Sequence, residues 1–194
     1  VNNTANNGTP YFLTAHHCLN NQIVSQWAFR FNWISPNPVC ASNSDSTSNS
    51  TFHQTVSGAV LRASNEQTDF ALVELTSNIP GAWDVVWAGW DRSDIVPAST
   101  FGIHHPSGDI MKVCRDVNAP VHDNDGGTFM WRVEDWDMGV TETGSSGSPL
   151  FDNNGRIIGQ LYGGDAACAG FSDNNAPDYY GRFAKSWNGV NSSL

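Results

Sequence analysis

Residues 141–151 read TETGSSGSPLF, with Gly144 and Gly147 flanking a pair of serines ahead of Pro149 and an apolar dipeptide. Gly/Ser turns are common, so a plain turn is one reading. The other is a nucleophile loop. Glycines let the backbone turn until two N–H groups aim at one point beside a serine hydroxyl. That geometry stabilises the oxyanion of acyl transfer, where losing one donor costs about 3 kcal/mol. Ser146 is the candidate nucleophile, with the N–H groups of Gly144 and Ser146 as oxyanion donors.

A serine hydroxyl needs a base, and the base needs an acid to orient it. Residues 11–20, YFLTAHHCLN, close an apolar run with His16, His17 and Cys18. Asp69 opens the strand-like DFALVEL, where a carboxylate ahead of an apolar run has no evident packing role. The chain order His17, Asp69, Ser146 is that of the chymotrypsin group, and differs from the subtilisins and α/β-hydrolases. A metal site at the histidine pair is the weaker reading, since successive strand residues point to opposite sides.

The rest of the chain suits that assignment. It has 194 residues, enough for a real core, with 18 glycines, 9 prolines and 8 tryptophans among many Asn, Ser and Thr residues. Such a mix favours short strands and tight turns. Strand-like stretches recur at Tyr11–Thr14, Ile23–Trp33 (IVSQWAFRFNW), SGAVLRAS, DFALVELTS, WDVVWAGWD, STFGIHHP, GTFMWRVEDW and RIIGQLYGG. GRFAKSW reads as a last strand or a helix start, and residues 41–51 as a polar loop. The predicted class is all-β, a sandwich or barrel. The net charge of −10 argues against nucleic acid and anionic membranes as partners. No apolar run reaches the length of a membrane span, and no signal peptide is visible. Lys112 and Lys185 are the only lysines, weak support for a protein that attacks lysine and must spare itself. Cys18, Cys40, Cys114 and Cys168 form no C-x-x-C pair, a poor zinc pattern and a fair disulfide pattern for an exported protein, permitting two bridges. No metal or cofactor is expected.

LTAHHC, TDFALVEL, WAGWDR, IHHP, TETGSSGSP, GQLYGG and YYGR, in this order, resemble the bacterial lysyl endopeptidases, from Val1 to about Asn191. WAGWDR is especially specific, since general trypsin-like enzymes lack it. The resemblance implies a secreted serine protease of the chymotrypsin fold, with two antiparallel six-stranded β-barrels. Residues 1–85 would carry His17 and Asp69, and residues 86–194 Ser146 and the pocket. It makes His17, directly before the cysteine, the base and leaves His16 structural. The pair His104–His105 is structural by the same likeness, and His53 and His122 are expected at the surface. Only 16 residues precede His17, so the first barrel is expected to be incomplete, with Cys18 separated from the partner such a strand normally supplies.

A slot beside the nucleophile would take the substrate residue before the scissile bond. Its wall is the strand after the serine loop, where Tyr162, Gly163 and Gly164 are the substrate-binding candidates and the glycines leave the mouth open. A cation entering it needs a buried carboxylate. Asp178, in the family-like D-x-Y-G-R spacing, fits that role, with Asp173 as competitor. Two departures stand out. The family carries a histidine at the position of Tyr162, packed on a tryptophan from the loop before the serine, and VHDNDGGTF here has no tryptophan. Ser145 stands where digestive trypsins carry an aspartate that pairs with a freed N-terminus; the resembling family shares this serine, so activation by such a salt bridge is not expected. The expected protein is a monomer acting on proteins or peptides after lysine. A broader Lys/Arg specificity and a silent binding module on the same scaffold are the alternatives.

Overall fold

The computed structural model describes residues 1–36, 53–124, 127–169 and 172–189. The described strands are β1 (Tyr11–Ala15), β2 (Ala28–Arg30), β3 (Thr55–Ser57), β4 (Ala59–Asn65), β5 (Phe70–Leu75), β6 (Thr100–His104) and β7 (Lys112–Asp116). They continue with β8 (Val121–Asp123), β9 (Met130–Val133), β10 (Pro149–Asp152), β11 (Ile157–Gly164), β12 (Cys168–Ala169), β13 (Ser172–Asp173) and β14 (Asp178–Arg182). One α-helix, α1 (Phe183–Asn188), follows. The all-β expectation holds.

Three strands from the N-terminal half pair antiparallel in the order β1-β5-β4, and β2 pairs with β3. Seven strands from residues 100–182 form one antiparallel sheet in the order β7-β6-β10-β11-β14-β9-β8. Phe70, Ala71, Leu72 and Val73 are all buried, so β5 is covered on both faces at the centre of its sheet. Leu13, Phe70 and Leu72 from the first sheet share a cluster with Phe151, Ile157 and Phe183 from the second half. Burying such side chains contributes about 2 kcal/mol each and holds the two halves together through this cluster.

Strand expectations shrink, with GTFMWRVEDW reduced to Met130–Val133 and two others reduced further. In IVSQWAFRFNW only Ala28–Arg30 is a strand, because the amides of Gln26 and Trp27 close a tight turn onto the carbonyls of Ile23 and Val24 at 2.8 and 3.1 Å. WDVVWAGWD is not a strand either. A short 3-10 turn over Gly81–Trp83 opens it, and a single bridge joins Trp90 to Ile157. Its tryptophans spend their polar ends elsewhere: Trp87 Nε1 donates to Thr9 O at 3.1 Å and Trp90 Nε1 to Asn2 O at 2.9 Å. GRFAKSW resolves as the end of β14 running into α1.

The two bridges that four cysteines permit are not seen among the described residues, and Cys18 is unpaired as expected. Cys18, Cys114 and Cys168 are free thiols on separate elements, and Cys40 and the 41–51 loop lie outside the described residues. Cys114 is fully buried among Trp131, Trp136, Leu150 and Tyr180, and burial pushes its thiol up to about 12. No helix among the described residues is long and apolar enough to cross a membrane.

Candidate active site

The chain turns out of β1 directly into a 3-10 turn over His16–Leu19. Asp69 sits one residue before β5, and Ala15 pairs with Phe70, so strand register alone brings His17 and Asp69 together across 52 positions. Asp69 is buried and left-handed at φ 50°, a conformation that aspartate tolerates better than most residues. Its Oδ1 accepts the backbone N–H of His17 at 2.8 Å, and its Oδ2 lies 2.7 Å from His17 Nδ1. Its carbonyl takes the N–H of His16 at 2.7 Å. Burial raises the Asp69 carboxyl, and the bonds from His17 pull the other way.

Behind Asp69, three residues that sequence reasoning missed hold the turn. Gln160 Nε2 donates to Thr68 O at 2.7 Å, and Ser186 Oγ donates to Thr68 Oγ1 at 2.7 Å. All three are buried, and they fasten the acid-bearing turn to β11 and α1. The only sequence signal was a polar residue inside an otherwise apolar strand, Gln160.

The serine loop reaches the same place from the other half. Gly144 and Gly147 take φ of 94° and 80°, the turns that glycine allows at no steric cost. The backbone of Gly147 lies so close to Thr14 and Ala15 that a Cβ there would sit 2.8 Å from Ala15 N. Ser146 is thereby presented beside the end of β1 that leads into His17. The amide of Ser145 turns back to Glu142 O at 3.0 Å and that of Gly147 bonds Leu161 O at 2.8 Å, while the amides of Gly144 and Ser146 have no partner among the described residues. The imidazole of His17 meets the ring of Tyr162 edge-on, with centroids 6.0 Å apart. Tyr162 is more than half exposed at a register shift between Leu161 and Gly163, and the bulge turns its ring out toward the histidine.

Beside Ser146 opens a cleft of about 420 Å³, with Gly144, Gly163, Gly164 and Ala166 in its walls and Glu142 and Asp165 adding carboxylates. Asp178 stands opposite Gly164 on β14 and is fully buried. Its Oδ2 accepts two bonds, from Trp136 Nε1 at 2.7 Å and Thr141 Oγ1 at 2.6 Å. Its Oδ1 has no partner and faces Gly164, where an added Cβ would lie 2.5 Å away. Burial raises the carboxyl, against the two bonds. Asp173, the competitor, lies on the β12–β13 hairpin and is partly exposed, away from this buried position.

The remaining histidines divide. His104 is buried on β6, with Nδ1 2.9 Å from Ser145 Oγ, whereas His53 and His122 are exposed. His105 is exposed, and its Nδ1 lies 3.0 Å from Asp109 O. No group of three or more His, Cys, Asp and Glu residues suited to a metal occurs among the described residues.

Comparison with known proteins agrees with this architecture. The HtrA-type protease AlgW with a tripeptide superposes with a TM-score of 0.58 at 17% identity, covering 93% of this chain and 51% of that one. The MamO protease domain of Magnetospirillum magneticum superposes at 0.52 and 14% identity, over 90% and 80% of the two chains. These likenesses show the fold of the trypsin-like proteases. In sequence, the lysyl endopeptidase of Pseudomonas aeruginosa is 32% identical over 179 residues, which are 89% of this chain and 37% of that protein. The chain thus spans little more than a third of that relative's length. The family model described as lysyl endopeptidase, C-terminal domain, matches residues 1–181, and the chain belongs to that family.

Proposed function

We propose that this domain is a secreted serine endopeptidase that cleaves on the carboxyl side of lysine. The observation that carries the reading is the Asp69-clamped His17 at the seam where Gly147 seats the Ser146 loop on β1. Ser146 Oγ attacks the carbonyl carbon of the scissile bond while His17 Nε2 takes its proton. The N–H groups of Gly144 and Ser146 hold the oxyanion. His17 returns the proton to the leaving amine, leaving an acyl group on Ser146. Water, deprotonated by His17, then releases the acid and restores the serine. Asp69 holds the Nδ1–H tautomer and stabilises the imidazolium. No cofactor takes part.

Lysine preference is supported by the state of Asp178. With Oδ2 taken by Trp136 and Thr141, only Oδ1 is left to receive a cation. An ammonium needs one such oxygen. A guanidinium fork binds best to two. Membership of the lysyl endopeptidase family supports the same assignment, and secretion with it.

The test is a cleavage-site profile by mass spectrometry on a denatured protein mixture, beside a Ser146→Ala control and an Asp178→Asn variant. Cuts confined to lysyl bonds, absent from the control and lost with Asp178→Asn, are expected. Cuts after both Lys and Arg would leave the triad standing and remove the narrow specificity. No cuts from the folded wild type would favour a silent binding module.

A further inference from the structure

We infer that His104 is a positioning residue that holds the nucleophile loop in its reactive shape through Ser145, an inference that rests on the proposed hydrolase activity. His104 is 1% exposed at the end of β6, and its Nδ1 lies 2.9 Å from Ser145 Oγ. Ser145 is 2% exposed and immediately precedes Ser146. The same hydroxyl accepts the N–H of Glu142 at 3.3 Å, while the N–H of Ser145 goes to Glu142 O at 3.0 Å. Residues 142–145 therefore form a closed turn whose clasp is the Ser145 hydroxyl, and His104 grips the clasp from behind.

The segment after His104 adds a second hold. The N–H of Ser107 donates to Thr143 O at 2.7 Å, and a Cβ on Gly144 would lie 2.8 Å from Ser107 N. The 104–107 segment thus backs the loop at Thr143, Gly144 and Ser145, beside the cleft that Gly144 and Ser146 line.

The other ring nitrogen is the second observation. Nε2 of His104 is buried without a partner. An apolar ring at this position would avoid that penalty if packing were all that mattered. The side chain keeps a costly group whose one hydrogen bond ends on the residue before the nucleophile. Acting as base toward Ser146 is not part of the role, since the proposed mechanism gives that to His17 and the side-chain hydrogen bond of His104 ends on Ser145.

Steady-state kinetics on a lysyl p-nitroanilide test this with the full chain and five proteins: wild type, His104→Phe, His104→Asn, Ser145→Ala and the double variant His104→Phe/Ser145→Ala. His104→Phe and Ser145→Ala should each lower kcat about tenfold with KM unchanged, less than the loss of a whole oxyanion donor. The double variant should be no slower than either single one, because both remove the same contact. His104→Asn, whose amide occupies the place of Nδ1, should regain most of the rate. An unchanged kcat in folded Ser145→Ala overturns the inference even if His104→Phe fails to fold. So does a loss carried by KM, or losses that multiply in the double variant. A folded wild type inert toward lysyl and arginyl p-nitroanilides alike overturns the hydrolase reading and this inference together.

Discussion

Asp69 meets His17 at two points, one oxygen on the backbone N–H at 2.8 Å and the other on the ring at 2.7 Å. The two contacts differ in what they do. The backbone bond fixes where the 3-10 turn begins, and the ring bond fixes which nitrogen carries the proton. Asp69→Asn keeps an acceptor for the first but can offer its NH₂ to the ring, favouring the wrong tautomer. We expect kcat on lysyl substrates to fall about 10⁴-fold while the melting temperature changes little. A fall below tenfold in a folded variant would show that the pair has no catalytic part.

Thr141 supplies one of the two bonds that occupy Asp178 Oδ2. Thr141→Val removes it without changing the shape of the side chain and partly frees that oxygen for a guanidinium. A hydrogen bond of about 1 kcal/mol corresponds to a roughly fivefold change in the Lys/Arg ratio of kcat/KM, in favour of arginine. Paired lysyl and arginyl substrates measure it, and an unmoved ratio would detach Thr141 from specificity.

His104 also shapes acid stability. Burial, with smaller electrostatic effects from His105 and Lys112, lowers its pKa from 6.5 to about 4. Between these values the unfolded chain binds a proton that the folded chain refuses, so stability falls as pH drops from about 6.5 and levels off below about 4. The loss amounts to about 3 kcal/mol at pH 4 relative to pH 7. Asp69 and Asp178, raised by burial, work in the opposite sense but are common to wild type and variant. Urea melts at the two pH values should show His104→Asn losing about 3 kcal/mol less than wild type. Parallel losses would contradict a neutral, buried imidazole.

Cysteine chemistry gives an independent check on the core. Cys168 is exposed, Cys18 half-buried and Cys114 fully buried. Thiolate is the reactive form, and burial suppresses it at Cys114. Of these three, alkylation of the native protein followed by peptide mapping should label Cys168 first and leave Cys114 untouched until denaturant is added. Native labelling at Cys114 would show that the cluster around Trp131 and Tyr180 opens readily.

Much of this was legible in the sequence because it rests on local pattern. The apolar runs of β5 and β11 announce strands, and Gly144 and Gly147 announce a turn with unusual dihedrals. The carboxylate at Asp69 stands out against the apolar stretch it precedes. What the sequence hides are supports that act across long separations. Trp136 reads only as the end of a strand-like stretch and Thr141 as the start of the serine loop, until β14 folds back and brings Asp178 to them. His104 reads as half of a histidine pair, and only the pairing of β6 with β10 places it behind Ser145. WAGWDR lies in a strand-like apolar stretch, but its tryptophan indoles donate to the N-terminal segment instead.

The pairing of β11 with β14, Gly164 opposite Asp178, has a consequence for how a pocket like this can change. A strand is a coarse ruler. Moving the carboxylate one place along β14 turns it to the other face of the sheet, and moving it two places shifts it by about 7 Å. Lysine and arginine side chains differ in reach by much less than that. Sliding the acid along its strand is therefore too blunt an instrument to convert one preference into the other. Fine adjustment falls to the residues gripping the carboxylate, so a specificity lineage built on this scaffold should vary at 136 and 141 while the aspartate stays still.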